Sequence, residues 1–192
     1  MTRIIAGTAG RVALAVPKAG TRPTSDRVRE ALFSALEARD ALDGARVLDL
    51  YAGSGALGLE AVSRGAASLV LVERNGGAAR IAKANATLVT KPFGTDAAPV
   101  SVVTSAVSSY LSSAVGSSGA GAFDLVFSDP PYELSDADLR ADLDALVPLL
   151  AAGALVVVER SSRSPEPSWP EALRAQKPKK YGETTVWFAE LS

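Results

Sequence analysis

From Ala45 onward the chain repeats one unit: a short apolar run, a turn that usually carries glycine, then a helical stripe. Residues 47–50, 69–72, 100–104, 123–128 and 154–159 read as strands. Helices are expected over residues 56–64, 77–88, 105–111 and 135–150. The strands are continuously apolar rather than alternating, which suits a parallel sheet covered on both faces. Residues 184–188 end the chain on a further strand, and residues 175–181, if extended, pair with it around Gly182. The expectation is a mostly parallel α/β sheet closed by an antiparallel C-terminal hairpin strand. Residues 112–122 (SSAVGSSGAGA) read as a flexible loop and residues 161–170 as a proline-rich one.

Upstream, residues 3–6 and 11–16 form two short β-like pieces around residues 7–10, a small hairpin. An amphipathic helix follows, with Pro23 before a Thr24 N-cap, Ser25 and Asp26 in the first turn, and Val28, Leu32 and Leu36 along one stripe. A length of 192 residues with 47% apolar content allows one sizeable core, hence a single domain plus an appendage.

The glycine segment VLDLYAGSGALGLEA carries Gly53, Gly55 and Gly58 as G-x-G-x-x-G between a strand and a helix, and Glu73 ends the next strand. Strand, turn, helix and acid together match the dinucleotide fingerprint, so a nucleotide-type ligand is expected. Asp49 argues against a pyrophosphate, because like charges at the strand end repel. S-adenosylmethionine (AdoMet), with an ammonium group, a sulfonium and no phosphate, fits better. Asp49 then faces its methionine end, and Glu73 accepts from the ribose hydroxyls.

Residues 129–132 (DPPY) follow the apolar run of residues 123–128. Two prolines cannot continue a strand, so Asp129, Pro130, Pro131 and Tyr132 form either a plain turn or a clamp for a flat substrate. The chain has no cysteine and no histidine. Cys/His zinc sites and every Cys- or His-dependent mechanism are therefore excluded, including covalent carbon-5 methylation of pyrimidines. Methylation of an amine needs neither residue.

The net charge of −1 gives no global attraction to nucleic acid. Locally, Arg3, Arg11, Lys18, Arg22, Arg27 and Arg29 outnumber Asp26 and Glu30, and Lys177, Lys179 and Lys180 form a second basic cluster. Such faces suit an anionic partner or are solvated surface. There is no uninterrupted apolar run of about 18 residues, and residues 1–7 lack the apolar segment of a secretory signal. A cytoplasmic, non-membrane protein is expected.

The segments RIIAGTAGRVAL, TRPTSDRVREALF, LDLYAGSGALGLEAVSRGA and DPPY, in that order, resemble the bacterial 16S rRNA guanine-N2 methyltransferase family, the RsmD type. The resemblance implies a Rossmann-like class I methyltransferase sheet of seven strands, AdoMet as cofactor and no metal. It also implies a monomer acting on 16S rRNA within the 30S subunit or its assembly intermediate. Residues 1–23 would be an rRNA-binding hairpin extension and residues 24–192 the methyltransferase domain. Asp49, Tyr51, Ala52, Gly53, Ser54, Gly55 and Glu73 would hold AdoMet, and Asp129, Pro130, Pro131 and Tyr132 the base. The family usually carries Asp or Asn after the third strand. This chain has Ser105 and Ala106 there, which leaves Arg74 as a further neighbour for the adenine. Arg3, Arg11, Arg22, Arg27 and Arg29 would contact rRNA phosphates. Three alternatives stay open: an NAD-dependent oxidoreductase, a non-catalytic RNA-binding module, and an amino-group methylase acting on another base or on DNA.

Overall fold

A computed structural model of the protein describes residues 2–17, 26–117 and 121–192. Lys18, Arg22 and the helix cap expected from Pro23, Thr24 and Ser25 lie outside the described residues. In chain order the elements are β1 (Thr2–Arg3), β2 (Ala13–Leu14), α1 (Asp26–Glu37), β3 (Arg46–Leu50), α2 (Ala56–Ser63), β4 (Ser68–Glu73) and α3 (Gly76–Thr90). There follow β5 (Val100–Thr104), α4 (Val107–Ser117), β6 (Phe123–Ser128), α5 (Asp136–Leu146), β7 (Leu150–Ser161), β8 (Leu173–Ala175), β9 (Lys179–Tyr181) and β10 (Thr184–Leu191).

The main sheet runs in the order β5-β4-β3-β6-β7-β10-β8, with β9 also on β10. The first five strands are mutually parallel, and β10 is antiparallel to β7. This is the Rossmann-like class I methyltransferase arrangement expected from the sequence. The seventh position is one interrupted strand. Ala175 pairs with Ala189 and Lys179 with Val186, so Gln176, Lys177 and Pro178 face only Trp187 and Phe188. Pro178 has no N–H to give the ladder, and a bulge with one extra residue absorbs it.

Each strand residue points to one of two cores. Val47, Leu69, Leu71, Leu125, Phe127, Val157 and Val186 face α1, α2 and α3. Leu48, Leu50, Val72, Val126, Val156 and Val158 face α4 and α5. The small-residue segment expected as a loop is helical as far as Ser117, because Leu111 and Ala114 bury a stripe against the second core. Among the described residues no helix is long and apolar enough to cross a membrane.

The β1–β2 hairpin is stitched to the helices by buried polar groups. Glu60 on α2, with no exposed surface, accepts the N–H of Ile5 (2.7 Å) and of Ala6 (3.0 Å), and Arg64 Nε at 2.8 Å. Arg64 also reaches Glu37 on α1 (2.7 Å) and lies over the Phe33 ring. Ser63 Oγ accepts from Ala9 N and donates to the Ala6 carbonyl. At Gly7 the chain presses so close that a Cβ would stand 1.8 Å from the Ser63 carbonyl oxygen, at a φ of +82°.

Removing a buried carboxylate that serves several donors leaves them desolvated and unpaired. Glu60→Ala should therefore cost about 3–5 kcal/mol of stability, read as a lower urea midpoint. Glu60→Gln, which keeps an acceptor, should lose visibly less.

Candidate active site

The strand order reverses between β3 and β6, and α/β sheets bind ligands at such a switch point, outside the carboxyl ends of the strands. Four carboxylates collect there on one face. Asp49 is in register with Leu71 and Phe127, both first-core residues, so it points to the α1–α3 side. Glu73 is two residues beyond Leu71 on the same face. Ser128 pairs with Val158, so Asp129, just past the end of β6, follows beside Glu159 on β7. Glu159 pairs across β10 with Val186, another first-core residue. Glu73, Asp49, Asp129 and Glu159 thus come from four consecutive parallel strands. Strands lie about 4.8 Å apart, so each acid feels its neighbours.

The protonation of Asp49 and Asp129 reflects this. Burial raises Asp49, only 2% exposed, to a pKa of about 7; a hydrogen bond from Gly58 N (2.9 Å) opposes that, and the charge of Glu73 adds to it. Burial, then the charges of Glu159 and Asp49, push Asp129 well above the usual carboxylate range. Such a site favours a cation and disfavours a pyrophosphate.

The glycine loop has three distinct constraints. Gly53 has φ +56° with nothing within 4 Å of where a Cβ would sit, so that side of its backbone is open. Gly58 fails for the opposite reason, since a Cβ there would meet Leu69 Cδ1 at 2.5 Å. It lets α2 lie close on β4. Tyr51 is the third, with a left-handed φ of 61° that an aromatic residue rarely adopts. The twist turns its ring to the opposite core, where its hydroxyl donates to Asp142 on α5. That bond joins the glycine loop to the helix that follows residues 129–132.

The loop is held from two further directions. Glu73 Oε2 accepts from Gly53 N (2.9 Å) and Oε1 from Asn75 N (2.7 Å). Asn85 on α3, fully buried, donates to Ser54 O (2.9 Å) and both donates to and accepts from the backbone of Ala15. Asn85 was not identified from the sequence, although a polar residue on an otherwise alanine-rich buried stripe is the signal that marks it.

The expected residues separate cleanly. Asp49, Tyr51, Ala52, Gly53, Ser54, Gly55, Glu73 and Asp129 converge on the switch point. Arg74 and Ala106 are exposed and Ser105 half-buried next to them; Ser105 N donates to Glu73 O (3.1 Å). Pro130 is buried, and the Pro131 carbonyl accepts from Leu134 N (3.0 Å), closing the turn. Tyr132 is 73% exposed, a ring held out from the sheet. Asp129, Pro130, Tyr132, Glu159, Arg160, Ser164 and Thr184 line a small cleft.

Among the basic residues, Arg3, Arg11 and Arg27 are exposed. Arg29 is not: it is 1% exposed, and its Nη2 donates to Asp26 (2.6 Å) and to the Arg3 carbonyl (2.7 Å). The expected phosphate contact is instead a brace between hairpin and helix. It falls on the buried stripe with Leu32, Phe33 and Leu36, the spacing of one helix face.

A family model described as Conserved hypothetical protein 95 matches residues 2–190. The chain belongs to that family. Its relatives include Ribosomal RNA small subunit methyltransferase D of Haemophilus influenzae, 34% identical over 85% of this chain and 80% of that protein. The Escherichia coli protein of the same name is 53% identical over 72 residues. That stretch is 37% of this chain and spans only 35% of the E. coli protein's length. In structure, a hypothetical protein of Thermus thermophilus matches over 100% of both chains with a TM-score of 0.81 and 33% identity. For this member of the family, the relationship expected from the four sequence segments therefore holds along nearly the whole chain.

The raised pKa of Asp49 has a stability consequence. The unfolded chain releases this proton near pH 4 and the folded one near 7, so stability falls as pH rises through that window. Asp49→Asn keeps an acceptor for Gly58 N and removes the charge. At pH 8 it should stabilise the unliganded protein by roughly 2 kcal/mol, about 4–8 °C in Tm. At pH 3, below both pKa values, the two melting curves should nearly coincide.

Proposed function

We propose that the protein transfers a methyl group from AdoMet to the exocyclic N2 amine of a guanine in small-subunit rRNA, in the cytoplasm. The single observation that carries this reading is the placement of Asp129 and the exposed Tyr132 beside the glycine loop at the switch point. The names of the relatives support rRNA as the substrate class.

The residues present fit AdoMet. Bare backbone at Gly53 leaves room for close approach, and the acid row attracts a cation where a dinucleotide would be repelled. Each Glu73 oxygen already accepts one N–H and keeps a lone pair for a ribose hydroxyl. Arg74, Ser105 and Ala106 border the adenine end. When bound, AdoMet supplies an electrophilic methyl on a cationic sulfur.

The chain's own part is alignment and proton handling. A base in a duplex is out of reach, so the guanine is unpaired or flipped. Tyr132 stacks on it, an interaction worth about 1–3 kcal/mol. Asp129 accepts one N–H of the amine and the Pro130 carbonyl the other, which turns the nitrogen lone pair toward the glycine loop. Orientation of this kind supplies much of the rate of such a transfer. A carboxylate with a raised pKa is also a stronger base, so Asp129 takes the proton the nitrogen loses. Arg3, Arg11 and Arg27 contact rRNA phosphates from the hairpin and α1.

Labelled methyl transfer to unmethylated 30S particles, naked rRNA and DNA, with mapping of the modified base, tests the reading. Label should appear on one guanine, and Asp129→Ala should abolish it while AdoMet affinity stays near wild type. Binding of NADH without binding of AdoMet would overturn the assignment.

The hairpin carries a separate expectation. Arg11→Gln with Arg27→Gln should lower the slope of log affinity for rRNA against log salt by about 1.4, at roughly 0.7 per lost contact.

A further inference from the structure

The turn at residues 129–132 explains how an amine is held but not which base carries it, since adenine and cytosine also offer one. Glu159 bears on that choice. It ends the apolar run of β7, and the parallel register sets it beside Asp129 on the same face of the sheet. Both line one cleft with Pro130 and Tyr132, the acceptor and the ring already assigned to the base. The next residue, Arg160, also lines this cleft. Its guanidinium is engaged there, donating to Asp136 (3.0 Å) and to the Leu134 carbonyl (3.3 Å), so it braces the end of the same loop.

The Watson–Crick edge of guanine presents three adjacent hydrogens, one on N1 and two on N2. Adenine and cytosine put a lone pair where guanine has N1–H. A carboxylate is an acceptor only, so it matches N1–H and repels a ring-nitrogen lone pair. We propose that Glu159 selects guanine by accepting its N1–H, while Asp129 and the Pro130 carbonyl accept the two hydrogens of the N2 amine. This rests on the reading of residues 129–132 as the amine-holding turn. A site built to bond a substrate N–H rejects analogues lacking it far better than an apolar pocket does, here because the carboxylate meets the lone pair of the analogue's ring nitrogen.

Glu159→Gln and Glu159→Asp separate the possibilities. Single-turnover transfer would be measured at saturating AdoMet on unmethylated 30S particles, and on particles reconstituted with adenine at the target position. Melting temperature and calorimetric AdoMet binding serve as controls. Glu159→Gln should lower transfer to guanine by about 10–100-fold, the range for loss of a hydrogen bond to a charged group. Its AdoMet affinity should fall by less than the transfer rate does, because the other three acids of the row remain. It should also gain detectable transfer to adenine, because the Gln amide can donate to the adenine ring nitrogen. Glu159→Asp keeps an acceptor-only head and should still reject adenine, even with a reduced rate on guanine.

Unchanged guanine transfer in Glu159→Gln, or adenine transfer by Glu159→Asp, overturns this proposal and leaves the methyltransferase reading intact. Failure of the wild-type protein to label any guanine overturns both.

Discussion

Carboxylates that lie within reach of one another at the edge of a desolvated core set the terms for the rest of this molecule. Glu73 raises the cost of ionising Asp49, and Glu159 and Asp49 raise that of ionising Asp129. The fold answers with backbone donors. Gly58 N, at the start of α2, serves Asp49, and Gly53 N and Asn75 N serve Glu73. These bonds draw the glycine loop and the starts of two helices onto the strand ends. A cationic cofactor of the kind proposed would relieve the remaining imbalance, so carboxylate repulsion that costs stability would favour its binding.

A second layer of buried polar groups fixes the hairpin against this centre. Glu60 gathers two hairpin N–H groups and Arg64 on one carboxylate. Asn85 spans from Ala15 at the end of the hairpin to Ser54 in the glycine loop. The exposed arginines of the hairpin are therefore mounted on the same scaffold that shapes the glycine loop. On the proposed function, phosphate contacts there would report directly on the position of the base relative to the strand ends.

Much of this was legible in the sequence. Strands β5 and β6 have the bounds their apolar runs predicted, because turn-forming residues flank both runs. Asp49, the glycines, Glu73 and residues 129–132 stood out in the sequence by residue type and spacing, each at a strand end or in the turn after it. Contacts between distant segments were not: Tyr51 to Asp142 and Asn85 to Ala15 join positions 91 and 70 apart in sequence. Glu159 read only as a strand terminus until the register set it beside Asp129. Arg29 was misread because its charge outweighed its place on the apolar stripe of α1. Helix α4 was cut short because serine, glycine and alanine suit a loop as readily as a helix whose buried face is small.

The bulge around Pro178 concerns the protein's behaviour in a crowd rather than its chemistry. An open sheet exposes a row of backbone donors and acceptors on which another chain can add a strand. Here that edge is short, broken by a proline and flanked by the exposed Lys177, Lys179 and Lys180. The basic cluster thus has a role that needs no anionic partner. It makes this margin of the sheet a poor template for edge-to-edge pairing.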